Sequence, residues 1–472
     1  MTLVSPTSVI RNALNNRADH AVSELEARTC HSWKMSLDRS GALARGEDFV
    51  GNNSFHLYIR EGMGAYVVDL DGNCFVDLSM GFGSQLLGHA VPAVQDAVMA
   101  QASGGWHAGL VNEKQLELAR HIQGAGAANE RVVFCNSGSD ATAYAMRAAR
   151  AFTGRDQIAV FKGSNHGHHD YAIAAEDPPP VDHGLAESGG LFGRPWGRRA
   201  HRHVGVPQAV ADSTLTLTYG HPSVFDQIRR RRRDLAAVIV EPVRALDPSL
   251  DQSPWLRELA NVCGETGVLL ILDERLTGFR LAYGGAQERL GVMPDLVAYG
   301  DIVGGGLPLG AVAGRADILG YLAERELRSR MHPDGGVSGN ILSIAAGAAA
   351  LGQIASRRTT LYPALEEKTR MLAEAFNTFT AEHNLPARMK SAGSIFRIQF
   401  SRGDGFNVRG GDFMAAETAF YTLALSKGVL VHAARLGFIS ASHTTGDIAQ
   451  VVAAFHDALR DVASDGLFDV RA

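Results

Sequence analysis

From about residue 90 to 320, short apolar runs alternate with longer stretches of helical period. The runs are Val132-Val133-Phe134, Ile158-Ala159-Val160-Phe161, Val238-Ile239-Val240, Leu269-Leu270-Ile271-Leu272 and Leu296-Val297-Ala298-Tyr299. This alternation predicts a mostly parallel sheet covered by helices on both faces. Ahead of it, Ala65 to Asp77 reads as two strands joined by the turn Asp71-Gly72-Asn73, a hairpin signal. After about residue 340, Ala345 to Ile354 and Leu361 to His383 read as helices, and Ile395 to Phe400 alternates like a half-buried strand. The pattern therefore predicts an α/β chain in three parts. Residues 1–90 form an N-terminal segment with the hairpin, belonging to a small domain; 91–340 form a large α/β domain; and 341–472 form the C-terminal α+β part of the small domain. Asp177 to His203, rich in Pro, Gly and charge and without period, reads as a long loop.

Composition narrows the class. The 472 residues are 46% hydrophobic and 20% charged, enough for a large core plus a smaller one. A net charge of −5 and a pI near 6.4 give no electrostatic reason to expect nucleic acid or an anionic membrane as partner. The run Arg229 to Arg233 precedes a strand-like segment and reads as a solvated helix end. Cys30, Cys74, Cys135 and Cys263 are scattered, without the close pairing of a zinc site or redox couple. Reduced thiols, no targeting segment and no apolar run near ~20 residues lead to the expectation of a cytoplasmic protein.

Several segments carry chemistry. Asn136-Ser137-Gly138-Ser139-Asp140-Ala141-Thr142 places small residues at a helix start, where unpaired backbone N–H groups face an anion. Asp273 ends an apolar strand, followed by Glu274, Arg275 and Gly278-Phe279-Arg280. Lys162-Gly163-Ser164-Asn165-His166-Gly167-His168 follows another, and Gly300-Asp301-Ile302-Val303-Gly304-Gly305-Gly306 a third. Asp334-Gly335-Gly336-Val337-Ser338-Gly339-Asn340 lies further on. Together these segments resemble the class III aminotransferases, and most closely their branch containing glutamate-1-semialdehyde aminomutase, over about Gly62 to His443. The resemblance implies the fold-type I architecture and a homodimer whose pockets lie at the two-fold interface. By the same resemblance, Ser137, Gly138, Ser139, Asp273 and Glu241 belong to an ancestral pyridoxal phosphate pocket, with Asp273 at the pyridine nitrogen.

Four positions depart from the family pattern. Where the resemblance places the lysine that forms an imine with the cofactor, this chain has Asp301, which has no nitrogen to condense with an aldehyde. Arg275 stands where an apolar residue packs on the cofactor ring, and Asn165 where an aromatic residue stacks on it. Gly336 stands where a threonine reaches the phosphate. Of the lysines Lys34, Lys114, Lys162, Lys368, Lys390 and Lys427, only Lys162 lies beside a cofactor-wall motif.

These departures shape the functional expectations. The first is an enzyme that binds no pyridoxal phosphate and uses Asp301, Arg275, His166 and Asn165 for proton transfer on a small polar metabolite, as an isomerase, lyase or cyclase. The second retains pyridoxal or pyridoxamine phosphate noncovalently, with Asp301 as proton shuttle. The third is a non-catalytic partner of a lysine-bearing relative. A metal at His166, His168, His169 and Asp170 is not expected, because histidines at this place are common in the family without one. Arg275 should pair with Asp301 or Asp273, since a buried charge left alone costs several kcal/mol, about 3–5 when one partner is removed.

Overall fold

The computed structural model describes residues 16–38, 57–106, 110–173, 205–324, 338–401, 413–432 and 435–468. The expected loop Asp177 to His203 and the position Gly336 lie outside them. Two helices, α1 (Asn16–Arg28) and α2 (Cys30–Asp38), precede the strands β1 (Ile59–Met63), β2 (Tyr66–Asp69) and β3 (Cys74–Asp77). The β2–β3 turn forms as expected: Gly72 takes φ +86°, and Asp69 Oδ1 accepts from the amides of Asp71 and Asn73. Helix α3 spans Pro92–Ser103, and the main run of strands follows: β4 (Arg131–Cys135), β5 (Gln157–Phe161), β6 (Thr214–Leu217), β7 (Leu235–Val240), β8 (Leu269–Glu274), β9 (Leu296–Tyr299) and β10 (Gly310–Gly314).

These seven strands make one sheet in the order β4-β10-β9-β8-β7-β5-β6. Pairs β5–β6, β5–β7, β7–β8 and β8–β9 are parallel, while β10 runs antiparallel to both its neighbours. The apolar runs are continuous because both faces are covered. Ala237, Ile239, Leu269 and Ile271 enter one buried cluster, and Val238, Val240, Leu270 and Leu272 enter another on the opposite face. Burying each of the larger side chains contributes about 1.5–3 kcal/mol. Helix α4 (Gly138–Thr153) packs on the first face through Ala141, Ala145, Ala148 and Ala149, and ends at Gly154 with φ +67°.

The five-arginine run falls as its charge suggests. Arg229, Arg230 and Arg231 form the last turn of α5 (Ser223–Arg231), and Arg229 pairs with Glu265 on the surface. Beyond residue 340 the two expected helices are one, α6 (Ile341–Glu382), continuous through Pro363. Between its packed ends the polar stretch 356–360 is exposed, so it has no apolar period to read. Strands β11 (Ala387–Ala392), β12 (Ile395–Phe400), β13 (Val429–Leu430) and β14 (Leu436–Phe438) complete the sheets of the described residues. A three-stranded sheet runs β11-β12-β14, and β13 joins β3 in parallel, tying the N-terminal hairpin to the C-terminal part. Among the described residues no helix is long and apolar enough to cross a membrane.

Candidate active site

Ligands of open α/β sheets gather beyond the carboxyl ends of the parallel strands. At that edge β8 and β9 lie in register, with Asp273 opposite Ala298 and Glu274 opposite Tyr299. Both segments then leave the sheet together, which brings Arg275 against Gly300 and within electrostatic reach of Asp301. Strand β4 arrives from the other side of β10 and leads through Asn136 and Ser137 into α4, while β5 delivers the segment Lys162 to His169.

The centre of the site is an ion pair. Arg275 Nε lies 2.9 Å from Asp273 Oδ1 and Arg275 Nη2 lies 2.9 Å from Asp273 Oδ2. Asp273 is buried, and His166 Nδ1 bonds its Oδ2 from behind at 2.8 Å. Burial alone would raise the proton affinity of Asp273, but the Arg275 charge and the His166 hydrogen bond hold its carboxyl well below the usual range. The expected pairing of Arg275 thus selects Asp273. Asp301 opens the short 3-10 turn Asp301–Gly304. It is exposed along one side, yet the protein packed around the rest of its carboxyl raises its pKa, against the opposing pull of the Leu309 amide and Arg275.

Glycines make room for this arrangement. A Cβ at Gly138 would stand 2.7 Å from Arg275 Cδ, and one at Gly300 would stand 2.9 Å from the Arg275 carbonyl oxygen. The arginine stem therefore runs through a cradle between the start of α4 and the end of β9. Ser137 caps α4, its Oγ accepting from the Asp140 amide at 3.1 Å, and Ser139 sits half-buried in the first turn. Thr142 fastens that turn to the opposite wall: its Oγ1 donates to the His166 carbonyl at 2.5 Å.

Other candidates take different roles. Asn165 is exposed, and its side-chain oxygen turns back to accept from the Gly167 amide at 2.9 Å. Its backbone carbonyl, and not its amide group, touches the site by accepting from Arg275 Nη2. Glu241, just after β7, is buried, and burial pushes its carboxyl up; its Oε2 and the Nε2 of His166 have no hydrogen-bond partner among the described residues. Glu274 points away, as strand alternation requires, and caps the helix Gly285–Leu290 through the amides of Ala286 and Gln287. His169 is held against Thr142, with Nε2 at 3.2 Å from its Oγ1. The group His166, His168, His169 and Asp170 is not among the metal-competent clusters of the described residues. Sequence reasoning passed over Gly300 and Leu309, which act through backbone space and a backbone amide that no residue type advertises, and Thr142, whose hydroxyl partner across the site only the fold reveals.

The sheet order, the site at its carboxyl edge and the cradle at the start of α4 define a fold-type I aminotransferase fold. The chain belongs to the class III aminotransferase family, whose pattern it matches over residues 49–459. Among solved structures it is similar to an omega-transaminase from Sphaerobacter thermophilus, at 27% identity over 90% of this chain and 96% of that one, with a TM-score of 0.78. A transaminase with PLP bound is 26% identical over 94% and 98% of the two chains, with a TM-score of 0.78. A glutamate-1-semialdehyde aminomutase from Pseudomonas aeruginosa, as a lysine-to-alanine variant in complex with PMP, shares the fold at 20% identity over 98% and 99%, with a TM-score of 0.78. These relatives correct the expectation that no cofactor is held: family members of this fold carry PLP or PMP.

Proposed function

We propose that the protein is an enzyme that holds pyridoxamine phosphate or pyridoxal phosphate noncovalently and moves protons with Asp301, acting on a small polar metabolite in dehydratase or aminomutase chemistry. The Arg275–Asp273 pair carries the reading. A buried carboxylate that accepts from two guanidinium nitrogens is an acceptor that also suits the N–H of a protonated ring nitrogen, and Arg275 stands in for that cation. The backbone amides at the start of α4, with Ser137, Gly138 and Ser139, suit the phosphate. Asp301, at the position of the family's lysine by resemblance, offers no amine for a covalent link. The aminomutase variant that lacks a lysine and carries PMP supports noncovalent holding in this fold.

When bound, such a group supplies an electron sink for bond breaking next to an amine. The chain's own part is electrostatic and acid–base. Asp273, backed by His166, would hold the cationic ring. Arg275 is one-fifth exposed; withdrawn from Asp273, it would present a planar fork of donors to a substrate carboxylate or phosphate. Asp301, with its raised pKa, would carry the proton that an amine carries elsewhere in the family. A homodimer is proposed on the family resemblance, with α3 near its interface: this helix has no fully buried residue, and Met99 on it is 67% exposed.

The test is binding. Purified protein should take up pyridoxamine phosphate at one per chain, release it on dialysis, and give no borohydride-fixed adduct with pyridoxal phosphate. Asp273→Asn should weaken the uptake at least tenfold. An adduct mapped to Lys162, or failure to bind either form, would overturn the proposal. The filled ring slot favours one other reading, a non-catalytic partner of a lysine-bearing relative, which would show itself as a stable heteromer with that relative.

A further inference from the structure

Outside the candidate active site, three ligand-type side chains converge where α2 meets the β2–β3 turn. Asp71, in the turn, accepts through Oδ1 and Oδ2 from the His31 amide at 3.1 and 3.2 Å and through Oδ2 from the Ser32 amide at 3.4 Å. Those bonds cap the first turn of α2. They do not account for the side chains: His31 Nδ1 lies 2.7 Å and Cys30 Sγ 3.3 Å from the same Oδ1, with Sγ and Nδ1 3.8 Å apart. Because both the thiol and the carboxylate meet the one ring nitrogen Nδ1, no relay from carboxylate through imidazole to thiol is possible. The three donors instead face one point.

We propose that Cys30, His31 and Asp71 form a zinc(II) site, with solvent as the fourth ligand. Around a tetrahedral zinc, sulfur, nitrogen and oxygen donors stand about 3.4–3.6 Å apart, given metal distances of about 2.3 Å to sulfur and 2.0–2.2 Å to nitrogen and oxygen. The spacings of 3.8 and 3.3 Å straddle that range, and the 2.7 Å contact opens by a turn of the His31 ring, which is two-thirds exposed. Thiolate and carboxylate together neutralise a dication, and a thiolate–imidazole pair favours zinc over magnesium or calcium. The amides of His31 and Ser32 aim the carboxylate, the supporting contact that metal ligands need. The ion would clip α2 to the hairpin; nine residues are too few for a helix stable by itself.

Cobalt(II) added to untagged, metal-free, full-length protein reports the ligand set. One equivalent should produce a thiolate-to-cobalt charge-transfer band and the visible absorption of a tetrahedral centre, both removed by zinc. Cys30→Ser should abolish the charge-transfer band and weaken zinc binding more than tenfold in a chelator competition, and His31→Ala should weaken it comparably. Both positions are exposed, so the variants should unfold at the wild-type denaturant midpoint when metal-free. Cys74→Ser should retain band and affinity. A wild-type protein without the band, a band that survives Cys30→Ser, or one lost in Cys74→Ser would overturn the site.

Discussion

Arg275 lays two guanidinium nitrogens on the carboxylate of Asp273, two residues before it, at 2.9 Å each. The pair closes on itself at the end of β8 because residue 275 has already left the strand, so its side chain folds back over the carboxylate instead of continuing along the sheet face. This one side chain sets the character of the pocket. It supplies a buried acid with a covalently attached cation, and it places a flexible arm across the space that the family resemblance reserves for a ring.

Removing that arm should be costly. Arg275→Ala leaves Asp273 buried with His166 and the backbone amide of residue 275 as partners but no cation, and the loss of one member of a buried pair costs about 3–5 kcal/mol. Partial exposure of Arg275 and the remaining histidine point to the lower end, about 3 kcal/mol. Arg231→Ala on the exposed end of α5 should stay within about 0.5 kcal/mol of wild type. Denaturant unfolding of the two variants decides the matter; equal stabilities would show that the pair is ornamental.

Asp301→Lys alone should not create an efficient aminotransferase. Arg275 would still sit on Asp273, and Asn165 would still offer no ring to stack. Adding Arg275→Val, Asn165→Tyr and Gly336→Thr should tighten pyridoxal phosphate binding and yield the absorption band and borohydride-stable adduct of a lysine imine. Efficient transamination by the single variant would show that the other three positions matter little.

The fold was legible where apolar period is strong. The runs that become β5, β7, β8 and β9 stand out because both faces of those strands are buried, while β4, with Val132, Val133 and Phe134 only partly buried, stands out by its apolar residue types alone. Strand β10 was not, for it is built as Gly-Ala-Val-Ala-Gly and fills its place by smallness. In the site, Asp273, Arg275, His166 and Asp301 were named from motif position, and the first three meet directly. Asn165, expected among the proton-transfer residues, instead turns its side-chain oxygen to the Gly167 amide and meets the site through its backbone carbonyl, a local turn that residue type alone does not reveal. The cofactor expectation failed for a related reason: the four departures are visible as residue types, whereas the amides at the start of α4 and the burial of Asp273, which suit such a group, become visible only in the fold.

Gly310 is where smallness should prove indispensable. A Cβ there would stand 2.1 Å from the Ser137 carbonyl oxygen and 2.5 Å from its carbon, both backbone atoms that cannot rotate away. Gly310→Ala should therefore push β10 from the start of α4 and destabilise the protein by about 3 kcal/mol, the upper part of the usual overpacking range. Thermal or denaturant unfolding reads this directly. An alanine variant of wild-type stability would show that the strand and helix are less closely seated.

The acid limb of stability offers a test at His443. This residue is buried, and burial lowers its pKa from 6.5 to about 4. Its Nδ1 accepts from the Ser440 amide at 3.0 Å, so a proton added there would oppose an N–H group that cannot turn aside. A histidine held neutral in the fold is fully stabilising above the unfolded pKa, and that stability drains away as pH falls from about 6.5 toward 4. At about 1.4 kcal/mol per unit, the loss approaches about 3 kcal/mol. Glu274 works in the opposite direction: burial raises it to about 7, so the folded state gains stability as pH falls from there toward the ordinary 4.5. The wild-type profile alone mixes the two, but its difference from His443→Gln isolates the histidine. Unfolding free energies at pH 7.5, 5.5 and 4.5, values chosen to span roughly the two pKa values, should show wild type losing ground to the glutamine variant with each step down. A constant difference across that window would mean that His443 already takes up its proton in the folded state.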